Sequence, residues 1–198
     1  SVRLPSAFCG LTGLKVTVGR VSTYGIIPLS TTFDTPGPMA RSVEDAALLY
    51  NVLSGPDPLD PMTRGIAPVD PLPTMRRGVR GLRLARMPEG ERAGASAEVL
   101  AAYDRSLETL ADLGAEIVDL RLPFAFQDLV DAAGITQAEA YFFNKALVDD
   151  LAAPLGDAVR ARMTPGARLT AHDYLATNAR RQVLKAAFDE AMQGIDAF

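Results

Sequence analysis

A short apolar run, Leu82-Arg83-Leu84-Ala85, is followed by a helical pattern and then by a second run, Ala115-Glu116-Ile117-Val118-Asp119-Leu120. Between them Ser96 is placed to cap a helix whose Leu100, Tyr103, Leu107 and Leu110 share one face, and Gly114 ends it. Two strands joined by a crossover helix close as a parallel pair with a right-handed connection. That unit commits the chain to the α/β class.

The flanking segments add detail. Residues 1–55 are crowded with turn formers, from Gly10 and Gly13 to Pro36, Gly37 and Pro38, a density that marks tight backbone passages. Ser42 then announces a helix by accepting from the N–H of Asp45, Ala46, Leu49, Tyr50 and Leu53 recur on it, and Gly55 supplies the stop. Residues 56–80 hold six prolines, which preclude a regular helix or central strand and predict an extended surface connection. Residues 81–123 are the strand–helix–strand unit. Residues 124–198 are mainly helical: one or two helices over 125–153, then a long helix opened by Thr170 and Asp173, a capping-box start with Leu169 and Tyr174 placed as a staple. Gly194-Ile195-Asp196-Ala197-Phe198 reads as a strand beginning after a helix stop. The four stretches are expected to form a single domain, 1–198, and both ends read as interior positions of a longer polypeptide.

Composition narrows the function classes. The chain has 198 residues, 48% apolar and 22% charged, with a net charge of −4. Such a balance is globular and supplies no electrostatic drive toward nucleic acid or an anionic membrane. No apolar run is long enough to span a bilayer. One cysteine excludes an internal disulfide and fits a reducing, cytoplasmic setting.

His172 and Cys9 are the sole residues of their types and lie far apart in sequence, so no metal-ligand cluster is expected. His172 reads as an exposed polar residue, and Cys9 as a small buried hydrophobe. A Ser-His-Asp or Cys-His site would depend entirely on His172. Neither glycine-rich nucleotide-binding pattern occurs, and no cofactor is expected.

The informative stretch is the beginning. Ser1-Val2-Arg3-Leu4-Pro5-Ser6 resembles the close of the amidase signature: Ser, an aliphatic residue, Arg, any residue, Pro, a small residue. The likeness continues through Gly19-Arg20-Val21-Ser22 and into Gly37-Pro38-Met39-Ala40-Arg41-Ser42-Val43-Glu44-Asp45, where family members commonly show Gly-Pro-x-x-Arg-x-x-x-Asp. It is closest over residues 1–65. Val16 stands where the family usually has Pro, and Val18 where an aromatic residue is frequent. Both changes suit a strand.

The resemblance implies an α/β fold with a mixed β-sheet core flanked by helices. It implies that Ser1 is the catalytic nucleophile of a Ser–cis-Ser–Lys triad whose Lys and bridging Ser precede it. A neutral Lys takes the proton through the bridging Ser, so no imidazole is required. Lys15 is then not the base, because the family's base precedes the nucleophile. Arg3 and Asp34 are expected to support the site structurally, Arg3 through a buried or partly buried ion pair rather than contact with a substrate carboxylate, and Asp34 as a turn residue rather than an acid catalyst. Arg41 and Asp45 support the first turn of their helix.

The implied activity is hydrolysis of a small carboxamide to a carboxylate plus ammonia or an amine, with this segment inactive alone. Selectivity is expected from the region around Gln137, Glu139, Tyr141 and Phe142. The partner is a small-molecule amide, with no membrane or direct nucleic-acid contact, and a homodimer is compatible with the sequence. Alternatives are the A-subunit of a glutamyl-tRNA(Gln)/aspartyl-tRNA(Asn) amidotransferase, an N-terminal-nucleophile hydrolase using the amine of Ser1, and a non-catalytic domain.

Overall fold

The computed structural model describes residues 2–130 and 133–198. The chain divides into two compact units, Ser1–Arg76 with Ile135–Leu169, and Arg77–Gly134 with Thr170–Phe198. The stretch 124–198, one helical region by sequence, is thus shared between them.

The first unit begins with helix α1 (Arg3–Cys9), which the sequence did not announce. Pro5 is tolerated because it lies in the first turn, where backbone N–H groups have no intrahelical acceptor. Gly10 ends the helix in the left-handed conformation, φ 62°. Strand β1 (Thr12–Gly13) pairs antiparallel with β2 (Met39–Ala40) in the register Thr12↔Ala40, Gly13↔Met39. Helix α2 (Val43–Leu53) starts as expected, with the Ser42 hydroxyl accepting from the N–H of Asp45 at 3.0 Å. It packs on both strands and buries Ala46, Ala47 and Tyr50, the last clustering with Val16 and Val21.

The proline-rich segment is not simply an extended surface connection. It folds a 3-10 turn at Pro61–Thr63, and Asp60 and Thr63 are buried. Helix α5 (Ala133–Asp149) and helix α6 (Asp157–Met163) complete this unit around Ala140, Val148 and Met163. A further 3-10 turn (Thr164–Arg168) closes on α5 at Gly166, where a Cβ would lie 2.0 Å from the Gln137 carbonyl oxygen.

The second unit holds the strand–helix–strand motif. Strands β3 (Arg83–Arg86) and β4 (Glu116–Asp119) are parallel, in the register Arg83↔Glu116 through Arg86↔Asp119. Helix α3 (Ala97–Asp112) crosses between them, capped by Ser96, and its Tyr103 hydroxyl accepts from the N–H of Met87 at 2.8 Å. The closing residues add the expected strand-like pairing: Leu84 and Ala197 form a parallel bridge, and the Ala85 N–H donates to the Ala197 carbonyl at 2.7 Å. Helix α7 (Ala171–Ala191) begins with the capping box of Thr170 and Asp173. Short helix α4 (Phe126–Val130) brings Phe126 against Phe198, which also meets Phe188. Among the described residues the strands form two two-stranded sheets, one antiparallel and one parallel.

Candidate active site

Ser1, the expected nucleophile, lies outside the described residues. Its neighbour Val2 is half-buried and is the first residue whose surroundings are defined. Two glycines make room for it. A Cβ on Gly13 would fall 3.0 Å from Val2 Cγ1 and 2.2 Å from Ser6 Oγ. A Cβ on Gly37 would fall 3.2 Å from Val2 Cγ2 and 2.1 Å from the Leu14 carbonyl oxygen. The Leu14 N–H donates to the Pro38 carbonyl at 3.0 Å, tying the two glycine passages together. Only residues without a side chain allow this approach. Ser6 is buried, and its hydroxyl has no hydrogen-bond partner among the described residues.

The loop feeding Gly37 is held from two sides. Asp34 is half-buried, and its carboxylate accepts from the backbone N–H groups of Leu29 at 2.8 Å and Ser30 at 3.0 Å. From α5, Glu139 accepts from the Ser30 hydroxyl at 2.5 Å, the Thr32 hydroxyl at 2.5 Å and the Thr32 N–H at 3.1 Å. Asn144 on the same helix donates to the Pro28 carbonyl at 3.3 Å. The Ser30–Glu139 contact joins residues far apart in sequence, which hides it from a sequence reading; the polar run Ser30-Thr31-Thr32 is its one visible half.

Arg3 opens α1 and is exposed, and among the described residues it forms no ion pair. The expected buried or partly buried pair is thus not among the contacts of the described residues. Cys9 is exposed rather than buried, since Ser6 occupies the one buried position on α1. Asp45 occupies the third position of α2 and Arg41 is exposed just before it. His172 is exposed in the first turn of α7.

The region expected to set selectivity is already engaged in part. Glu139 is committed to the 30–32 loop. The Tyr141 hydroxyl donates to Asp149 at 3.0 Å and accepts from Lys145 at 3.0 Å. Phe142 is exposed and meets Phe143 edge-on at 5.0 Å.

The chain has three lysines, and each is engaged by a neighbouring oxygen. Lys15 is exposed and donates to the Val16 carbonyl at 3.0 Å. Lys145 donates to Asp149 and to Tyr141, and these hydrogen bonds raise its pKa well above the ordinary lysine value, fixing its charge. Lys185 pairs with Asp189 at 3.7 Å. A general base must be unprotonated at working pH.

A second polar network, also absent from the sequence expectations, lies in the first unit. Asp60 accepts from the Thr23 N–H at 2.7 Å, the Met62 N–H at 2.9 Å and the Thr23 hydroxyl at 3.0 Å, and the Ser22 hydroxyl donates to Asp57 at 2.7 Å. The Thr23 and Met62 backbone donors, in that order, hold the Asp60 carboxyl below the usual carboxylate range. Among the described residues no three His, Cys, Asp or Glu side chains gather as a metal site.

Together these features define an α/β protein in which close glycine passages flank Val2 and a helix-borne carboxylate holds the 30–32 loop. The chain belongs to the amidase signature family: the family model Amidase matches residues 1–198. An amidase of Pseudomonas putida is 35% identical over 201 residues, covering 99% of this chain and 42% of that protein. The A-subunit of a glutamyl-tRNA(Gln) amidotransferase from Anaeromyxobacter sp. (strain K) is 34% identical over 221 residues, covering 99% and 45%. A solved structure described as a vestigial protein complex revealing the evolutionary origins of an s-triazine catabolic enzyme superposes with a TM-score of 0.87. It is 30% identical and covers 99% of this chain and 42% of that one. The chain thus spans less than half the length of these relatives. No helix among the described residues is long and apolar enough to cross a membrane.

Proposed function

We infer that the protein carrying this chain is an amide hydrolase that uses Ser1 as its nucleophile. The observation that carries the reading is the unbroken match of Ser1–Ser6 to the signature, within a family match over residues 1–198. The Ser1 hydroxyl attacks the carbonyl of a small carboxamide and passes its proton through a bridging Ser to a neutral Lys. Ammonia or an amine leaves, and water hydrolyses the acyl-serine. Backbone N–H groups beside the nucleophile stabilise the oxyanion, a contribution of about 2.7–4 kcal/mol per donor. The engagement of Lys15 with the Val16 carbonyl, of Lys145 with Asp149 and of Lys185 with Asp189 supports a base supplied by residues other than these. The reading includes a cytoplasmic location, supported by the single cysteine.

The test is ammonia release by the full-length protein before and after Ser1→Ala. Turnover is expected to fall by about 1,000-fold or more; undiminished turnover contradicts the assignment.

A second reading is the function of an amidotransferase A-subunit. It is favoured by the 45% identity over 62% of this chain to the corresponding glutamyl-tRNA(Gln) amidotransferase protein of Anaeromyxobacter dehalogenans. Glutaminase activity that requires a co-purifying partner and rises with tRNA supports this version, and hydrolysis of simple amides without either supports the first.

A further inference from the structure

We propose that Glu139 is a positioning residue, which holds the nucleophile segment in register from a helix more than a hundred positions away in sequence. The proposal rests on the reading of Ser1 as nucleophile. Its structural basis is a chain of contacts within one unit.

Glu139 is only 8% exposed. A carboxylate removed from water is costly unless hydrogen-bonded, and three donors reach it from the 30–32 loop: the Ser30 hydroxyl, the Thr32 hydroxyl and the Thr32 N–H. The loop is stiffened internally by Asp34, whose own N–H donates back to the Ser30 carbonyl at 2.7 Å. From Asp34 the chain runs through Pro36 to Gly37, whose backbone rests against Leu14 and the Val2 side chain. Prolines on both sides of Gly37 limit the slack in this passage. Val2 is in turn flanked by Gly13, and it is covalently joined to Ser1.

Displacement of the 30–32 loop therefore reaches Val2 through a short, inextensible run of backbone. The effect of Glu139 passes through geometry, and a displacement of about 1 Å at a reacting group can cost about 100-fold in rate.

The test compares Glu139→Ala and Glu139→Gln in the full-length protein. For Glu139→Ala, kcat per folded molecule is expected to fall about 10- to 100-fold with KM held within about twofold. Hydrogen exchange is expected to rise over residues 2–14 and 29–38 and not over 97–112. Gln keeps an oxygen for the Ser30 hydroxyl and the Thr32 N–H and offers its amide to the Thr32 hydroxyl oxygen, so Glu139→Gln is expected to restore most of kcat.

Unchanged kcat in Glu139→Ala overturns the proposal, as does a Gln variant no better than Ala, which would signal direct proton transfer. A uniform rise in exchange across residues 2–76 overturns it too, marking a merely structural carboxylate. Should Glu139→Ala fail to accumulate as folded protein, Thr32→Val removes one side-chain donor and carries the same readouts at smaller amplitude. Should Ser1→Ala leave turnover intact, the nucleophile assignment fails alone, and exchange over residues 2–14 in Glu139→Ala still decides whether the coupling exists.

Discussion

Glu139 and Asp60 are both buried carboxylates, and their partners set them to different tasks. Glu139 joins a helix to a distant loop, whereas Asp60 organises its own neighbourhood by accepting from Thr23 and Met62. The Asp60 pKa is lowered in the folded state, chiefly by the Thr23 N–H and then by the Met62 N–H. A carboxyl with a depressed folded value contributes stability that is present above its unfolded value, near 3.9, and is lost as pH falls through the folded value. Asp60→Asn is therefore expected to lower the melting temperature at pH 7, with the gap from the parent closing below about pH 4. Thermal melts across pH 3–7 check this, and a gap independent of pH contradicts it. Neither carboxylate was legible as a structural centre. Asp60 sits among prolines that read as surface connection, and the Ser30 and Thr32 partners of Glu139 are remote from it in sequence.

Among the elements, legibility followed the range of the interactions. Ser42, Ser96 and Thr170 each cap their helix by accepting from the N–H three residues on, a relation written entirely in local sequence. The parallel pairing of β3 and β4 follows from the crossover, and its flanking ion pairs Arg83–Glu116 and Arg86–Asp119 are exposed and contribute little. Helix α1 was not legible, because seven residues give too little periodicity, and Ser6 is its one buried position. The β1–β2 ladder was equally hidden, being two residues long and dependent on the approach of Gly37 to Leu14. Gly37→Ala forces a Cβ against a backbone oxygen that has no rotamer to move. It is expected to destabilise the protein by about 1–3 kcal/mol and to lower kcat through Val2. Urea denaturation beside steady-state kinetics checks both, and a variant of parental stability and rate contradicts the description of close glycine passages.

For the chain as a whole, the accessible surface is 13298 Å². Large apolar side chains remain on that surface, among them Phe8, 88% exposed, and Ile27, 85% exposed. The relatives carry more than half of their length beyond the part that matches this chain, so activity belongs to tests on the full-length protein. The family was legible because Ser1–Ser6 states its motif in consecutive residues, and the family match over residues 1–198 agrees with it. The decisive measurement is acid-quenched peptide mass spectrometry of the full-length protein during turnover of an activated amide. An acyl group on the peptide that contains Ser1, absent from Ser1→Ala, is the predicted result. An acyl group on any other residue, or one that survives Ser1→Ala, contradicts the account.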